Sequence, residues 1–311
     1  MTQKSVLFPL VLALSFSLTL LSSAASLLGS ARPSPQSSAG IENPAALNSF
    51  FRQLTAIQSG NRKTPVRVLH YGDSHTKADL FTGEIRRDLQ RDFGYAAPAY
   101  VQVSTAYTRN AGSTSSGIIY EALGVNGARA KRLHGLTQDG AFLQSIAQLR
   151  PDLIVIAYGT NEVTDDDWTI ASYERMLVDM IRRFHSAAPG SSVLIIGPPD
   201  RAVQGSDGWI SARKMSALLE AQRRAAFSAN AALWSSYDAM GGAGSMNAWV
   251  ARGLGRSDHV HLTAIGYNKL GRMFYSDLMN VYRSGSPAGP SSGLDNIDLR
   301  VMRGVPITKR P

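Results

Sequence analysis

The chain has no cysteine, so any nucleophile it uses is an oxygen or a nitrogen. The serine best placed to act as one is Ser74, in Gly72-Asp73-Ser74-His75. This tetrapeptide directly follows the β-rich run Val66-Arg67-Val68-Leu69-His70-Tyr71, and a helical pattern begins within a few residues. A serine between a strand end and a helix start is exposed, and a helix N-terminus favours negative charge developing beside it. The same position also suits a serine that only caps the helix. The imidazole that a serine nucleophile needs is offered by Asp258-His259-Val260-His261. Asp258 and His261 lie three apart, so the carboxylate can reach Nδ1 of His261 while Nε2 faces elsewhere, the arrangement of a general base held in one tautomer. His259 alternates away from this pair. A metal shared by His259, His261, Asp73 and His75 is the weaker reading, because no third ligand clusters with the two histidines.

Two further segments supply donors for a developing oxyanion. Asn161, in Tyr158-Gly159-Thr160-Asn161-Glu162, can present a neutral amide N–H after the most apolar run in the chain. Read alone, it is equally a turn residue satisfying its own backbone. In Gly124-Val125-Asn126-Gly127-Ala128 a glycine would let a ligand approach the backbone N–H closely, or would simply make a turn.

Positioning these residues requires a sheet. Leu153–Tyr158 and Val193–Ile196 are continuous apolar runs, as in strands covered on both faces, and Ala232–Ser235 is a shorter one. Between them, Phe81, Ile85, Leu89 and Phe93 mark one helical face, and Tyr173, Leu177, Met180, Ile181 and Phe184 mark another. Helices are also expected over roughly residues 211–230 and 263–282. Strands alternating with helices predict an α/β fold with a mostly parallel sheet covered on both faces. Ligands of such sheets bind beyond the carboxyl ends of the strands, and Ser74 and Asn161 directly follow predicted strands.

Residues 1–25 have a basic start at Lys4, an apolar centre and small residues at Ser22-Ser23-Ala24-Ala25, the pattern of a secretory signal peptide. An uncleaved membrane anchor is the competing reading, since the stretch approaches the roughly 20 residues that span a bilayer. Either reading places the rest of the chain outside the cytoplasm, periplasmic or secreted. Residues 26–63 are expected to be a Pro- and Ser-rich linker with a short helix that packs Leu47, Phe50, Phe51 and Leu54. Residues 64–282 form the main domain, and residues 283–311 a flexible, basic tail.

The 311 residues carry a formal charge of +9. Residues 64–282 hold 22 Lys plus Arg against 20 Asp plus Glu, a net of only +2, so the excess lies in the two ends. The main domain therefore has no charge-based need for an acidic partner. Arg182-Arg183 and Arg223-Arg224 read as solvated helix faces without interleaved aromatics, and no nucleic acid is expected. Asp165-Asp166-Asp167 is read as capping a helix entered at Trp168 rather than as a metal loop. Gly241-Gly242-Ala243-Gly244, with Met246 and Trp249, is either a substrate-contacting loop or a structural connection.

In the order Gly-Asp-Ser, Gly, Gly-x-Asn and Asp-x-x-His, the four segments resemble the SGNH (GDSL-type) hydrolase family over Leu69 to Leu270. The resemblance implies a flavodoxin-like three-layer α/β/α sandwich around a mostly parallel five-stranded sheet. It implies Ser74 as nucleophile, His261 as general base and then acid, and Asp258 as its orienting carboxylate. It also implies an oxyanion hole made by the Ser74 and Gly127 N–H groups and the Asn161 amide, with Asp73 shaping the nucleophile turn and no metal or cofactor. His75 and Glu162 replace the leucine and aspartate of many members. With Ile195–Asp200, Trp234–Gly242, Ser245–Trp249 and Asp258–Tyr267, they resemble the bacterial peptidoglycan O-acetylesterases. Characterised members of that branch carry a β-rich carbohydrate-binding insertion, for which Gly94 to Leu123 leave too little chain.

The expectation is an exported serine acetylesterase acting on an acetylated cell-envelope or extracellular glycan. The alternatives are an O-acetyltransferase using the same triad and a glycan-binding protein that has lost turnover. The sequence does not fix the oligomeric state.

Overall fold

The computed structural model describes residues 40–96 and 116–285. The expected signal peptide or anchor and the C-terminal tail beyond 285 lie outside the described residues. Among those described, no helix is long and apolar enough to cross a membrane.

Five parallel strands form the sheet: β2 (Val66–Gly72), β3 (Ile118–Gly124), β4 (Leu153–Ala157), β5 (Ser192–Gly197) and β8 (Ala232–Ser235). A two-residue strand, β1 (Ile41–Glu42), adds antiparallel to β8, so the sheet has six strands where five were expected. Their order is β1-β8-β5-β4-β2-β3. Residues 118–124, to which the sequence analysis gives no element, pair along their whole length with β2. Successive side chains on a strand point to opposite faces. Val66 and Val68 accordingly enter one core layer, while Leu69 and Tyr71 enter the other.

Helices cover both faces. One layer holds α1 (Asn48–Gln58), α3 (Phe81–Phe93) and α10 (Ala264–Gly285), whose Phe50, Ile85 and Phe274 pack with Trp234 of β8. The other holds α4 (Ala130–Leu136), α5 (Gly140–Leu149), α6 (Ile170–Ala187) and α7 (Met215–Ser228), with Leu133, Ile146, Phe184 and Leu218 against Ile154 and Ile195. The three-layer sandwich follows directly from these two apolar stripes meeting one sheet.

The segment expected to pack Leu47, Phe50, Phe51 and Leu54 lies against the main core: Leu47, Phe50 and Leu54 are completely buried, and the Phe50 N–H donates to Ser192 Oγ at 3.2 Å. Two other expectations shift. Helix α7 begins at Met215 rather than near 211, because residues 202–211 form an antiparallel hairpin of β6 (Ala202–Gly205) and β7 (Gly208–Ser211). The acidic run 165–167 does not cap a helix. Helix α6 starts at Ile170 and is capped by Thr169, which exchanges hydrogen bonds with Ser172. Asp165 instead pairs with Arg129, Asp167 with Lys131 at 3.1 Å, and Asp166 lies near Lys214 at 3.4 Å. Cations from Arg129, Lys131 and Lys214 hold these carboxylates in place of the helix dipole.

Candidate active site

The nucleophile turn is built by close approach. Strand β2 ends at Gly72, where a Cβ would overlap Thr76 Oγ1 and lie 2.8 Å from the Ala157 carbonyl. Strand β3 ends at Gly124, where a Cβ would overlap the Lys77 backbone nitrogen. Two glycines thus let two strand ends press against α2 (Ser74–Lys77), a single helical turn. Asp73 caps that turn, its Oδ1 accepting the His75 N–H at 2.9 Å. Asp73 therefore shapes the turn carrying Ser74, while the Ser74 N–H, as a first-turn amide, has no partner within the helix.

Ser74 Oγ lies 3.0 Å from His261 Nε2, and His261 Nδ1 lies 2.8 Å from Asp258 Oδ2. The three residues are thus one hydrogen-bonded chain across 187 positions of sequence. Asp258 Oδ1 accepts the N–H groups of Val260 and His261, both at 2.9 Å. Burial pushes the Asp258 carboxyl up, but these N–H groups and the His261 ring outweigh it and hold the pKa at about 2. The acid is thus ionised throughout the neutral range and accepts a hydrogen bond from Nδ1–H, which leaves Nε2 as the base.

The tight turn around Asp258 requires His259 to adopt a left-handed backbone, φ 55°. Arg256 N–H donates to His261 O at 2.8 Å, and Ala202 N–H donates to His259 O at 3.0 Å, fixing the turn from inside and outside. His259 does not join Ser74 and Asp258. Its ring stacks on Trp209.

The donor residues come together on the next loop. Asn161 Nδ2 donates to the Ala128 carbonyl at 2.9 Å, which ties the strand-β4 loop to the Gly127 loop and leaves the second amide hydrogen for a ligand. Gly127 has φ 68°, and nothing within 4 Å would meet a Cβ there. Its N–H donates to no protein acceptor among the described residues.

Glu162, read from the sequence only as a family variant, also holds this loop. Its Oε1 accepts the Ala130 N–H at 2.7 Å, and its backbone carbonyl accepts Trp168 Nε1–H at 2.8 Å. Its Oε2 is buried without a partner, and burial pushes the carboxyl up to about 7 despite the Ala130 N–H. A neutral acid is the cheaper form in such surroundings.

Behind the triad, His75 is buried with Nδ1 2.8 Å from the Tyr267 hydroxyl, and its ring centroid is 5.3 Å from that of His261. Burial pushes the His75 imidazole below the usual histidine range, so it packs as a neutral ring. His70 is likewise buried, its pKa pushed down to about 3, and bonds Tyr120 OH at 2.7 Å within the sheet.

Arg201, which the sequence analysis does not single out, sends Nη1 to the Thr160 carbonyl at 2.7 Å. Burial lowers its pKa while Asp73 and Asp258 raise it, so it brings positive charge to the edge of the site. The only local hint was its place after the Pro198-Pro199-Asp200 strand end. Met246 and Trp249, held open as substrate contacts, are buried on α9 (Ser245–Ala251) and belong to the core. Among the described residues, no group of three or more His, Asp or Glu side chains converges to hold a metal.

A serine hydroxyl bonded to an imidazole, itself oriented by an ionised carboxylate, is competent for acyl transfer. The chain aligns at 21% identity with a solved peptidoglycan O-acetylesterase, covering 78% of this chain and 99% of that one, with a TM-score of 0.65. An acetyl xylan esterase, AlAXEase, aligns at 18% identity over 68% of this chain and 98% of its own, with a TM-score of 0.48. A lipase/acylhydrolase from Enterococcus faecalis aligns at 19% over 72% and 99%, with a TM-score of 0.45. No curated protein sequence matches the chain. The family model for GDSL-like lipases and acylhydrolases matches residues 71–269, well over half of the sequence. The chain therefore belongs to the GDSL-like lipase/acylhydrolase family and is a carboxylic ester hydrolase.

Proposed function

We propose that this protein is an exported serine esterase that removes O-acetyl groups from a cell-envelope glycan, with peptidoglycan as the leading candidate. The observation that carries the reading is the unbroken hydrogen-bonded chain from Ser74 Oγ through His261 to Asp258. Support for the acetyl group and the glycan comes from the peptidoglycan O-acetylesterase fold and from the sequence segments shared with that branch. Support for export comes from the composition of residues 1–25.

The geometry gives a two-step mechanism. Ser74 Oγ attacks the ester carbonyl as His261 Nε2 takes the hydroxyl proton, and Asp258 stabilises the imidazolium through Nδ1–H. The tetrahedral oxygen is held by the Ser74 N–H, the Gly127 N–H and the free hydrogen of Asn161 Nδ2. His261 returns the proton to the departing sugar oxygen, leaving acetyl on Ser74. Water then gives its proton to His261 and attacks the acyl carbon. Collapse of that second intermediate returns the proton to Ser74 and releases acetate.

The test is acetate release from 4-nitrophenyl acetate and from O-acetylated peptidoglycan by the wild-type protein beside Ser74→Ala. Loss of both activities in the variant is expected, whereas equal release by the two proteins contradicts the assignment. A sugar acceptor added to the same assay distinguishes hydrolysis from transfer, because a transferase would yield acetylated acceptor in place of acetate.

A further inference from the structure

We propose that Trp209, with Gln204, Asn247 and His259, forms a sugar-ring subsite beside the catalytic histidine, which binds a pyranose of the glycan bearing the ester. The proposal rests on the esterase reading above and names how a domain without a carbohydrate-binding insertion grips its substrate.

Trp209 stands apart among the four tryptophans of the chain. Trp234 and Trp249 are completely buried, and Trp168 is covered by Tyr173 and by the Lys214 ammonium. Trp209 remains 38% exposed although one face of its indole is already covered by the His259 ring, with centroids 4.0 Å apart and planes within 10°. What remains open is therefore the opposite face and the edge. Its Nε1–H has no protein acceptor among the described residues.

The aromatic plate is held rigidly. Asn247 Nδ2 donates to the Trp209 carbonyl at 2.7 Å, Ala202 N–H donates to His259 O, and Ser211 Oγ donates to the buried Asp200 carboxylate at 3.0 Å. Order fixed before binding lowers the entropic cost of holding a ligand. The plate also lies within reach of the chemistry. His259 is two residues from His261, so their Cα atoms are at most about 7 Å apart, close to the span of a single pyranose ring.

The rim suits a sugar. A pyranose offers a face of polarised C–H bonds, which complements the negative face of an indole, and a perimeter of hydroxyls that require donors and acceptors. Gln204 is directly opposite Trp209 in the hairpin register and exposed, giving an amide at the ring's edge. Because Asn247 spends its NH2 on the Trp209 carbonyl, its Oδ1 is the atom 2.9 Å from His259 Nδ1. That nitrogen must carry the proton, which leaves His259 Nε2 as an acceptor for a hydroxyl. A stack that served only to brace the Asp258–His261 turn would not require an open second face with polar groups at its edge.

The experiment uses the full chain with two substrates, soluble O-acetylated peptidoglycan fragments and 4-nitrophenyl acetate. In Trp209→Ala, KM for the fragments should rise about tenfold, and the kcat/KM ratio of fragment to small ester should fall by a similar factor. Trp209→Phe should recover most of that ratio. In a Ser74→Ala background, titration with the fragments should change tryptophan fluorescence, and Trp209→Phe should remove that change. Equal losses on both substrates would overturn the proposal and leave Trp209 as a brace for the catalytic turn. An unchanged ratio would overturn it while leaving the glycan esterase reading intact. Wild-type protein that cleaves 4-nitrophenyl acetate but neither binds nor deacetylates the fragments would overturn both.

Discussion

At the scale of single residues, the proposed mechanism separates groups that would touch the ester from groups that hold them. Asn161 would do both, with one amide hydrogen on the Ala128 carbonyl and the other left for the substrate. Replacing it with alanine should lower kcat by about 100- to 1,000-fold with little change in melting temperature, read by steady-state kinetics beside thermal unfolding. His261→Ala should remove the base and lower kcat by about 10,000-fold or more, measured on 4-nitrophenyl acetate, whereas unchanged turnover would contradict the role.

Glu162 makes the stability of the protein depend on pH. Its pKa is raised from the ordinary glutamate range to about 7, so the folded chain binds more protons than the unfolded chain between those values. The stability tied to this group is fully present at acid pH and falls as pH rises through about 7. Glu162→Gln should therefore unfold with a melting temperature that declines less between about pH 5 and 8 than that of the wild type. Parallel curves would show that the carboxyl is not the titrating group. The Ser74–His261–Asp258 hydrogen-bonded chain was legible because Ser74 directly follows an apolar strand run and Asp258 and His261 are spaced to meet within one turn. The holding roles of Glu162 and Arg201 were not, because they depend on which loops the fold brings together.

At the scale of elements, the site is the place where strand ends meet the nucleophile turn. Gly124 lets β3 press against Lys77, and a Cβ there would overlap backbone rather than a flexible side chain. Gly124→Ala should cost about 1–3 kcal/mol of stability and also lower kcat by displacing Ser74, measured by denaturant unfolding and kinetics on 4-nitrophenyl acetate. Unchanged unfolding would mean that the strand end is free to yield.

The buried strands and amphipathic helices were legible because apolar continuity and four-residue spacing are strong signals. The β6–β7 hairpin was not, although Asp207-Gly208 between two short runs is a turn signal. Each run has only four residues and exposes part of its surface, so neither carries an apolar pattern. The acidic run at 165–167 misled for a related reason: local dipole chemistry pointed to a cap, and cations distant in sequence took the carboxylates instead.

At the scale of the molecule, residues 41–58 are part of the body formed by the main strands. Phe50 is completely buried, and Glu42 pairs with Arg223 at 2.6 Å, so β1 and α1 close one end of the sheet. Phe50→Ala should destabilise the protein by about 3–5 kcal/mol while kcat at low temperature stays within a few-fold of the wild type. A loss below about 1 kcal/mol would show that this segment packs only loosely. The apolar spacing of Leu47, Phe50, Phe51 and Leu54 made a packed helix legible here, whereas the β1–β8 pairing and the bond to Ser192 are long-range and leave no short-range trace.

The near-neutral charge of residues 64–282 fits a substrate gripped by stacking and hydroxyl contacts better than one drawn in by charge. All of this turns on Ser74 forming a covalent bond to the acyl group. The direct measurement is mass spectrometry of protein quenched rapidly during turnover of O-acetylated peptidoglycan fragments. An acetyl group on the peptide containing Ser74, absent from Ser74→Ala, is the expected result. Steady turnover with that peptide unmodified, or an acetyl group on another residue, would contradict it.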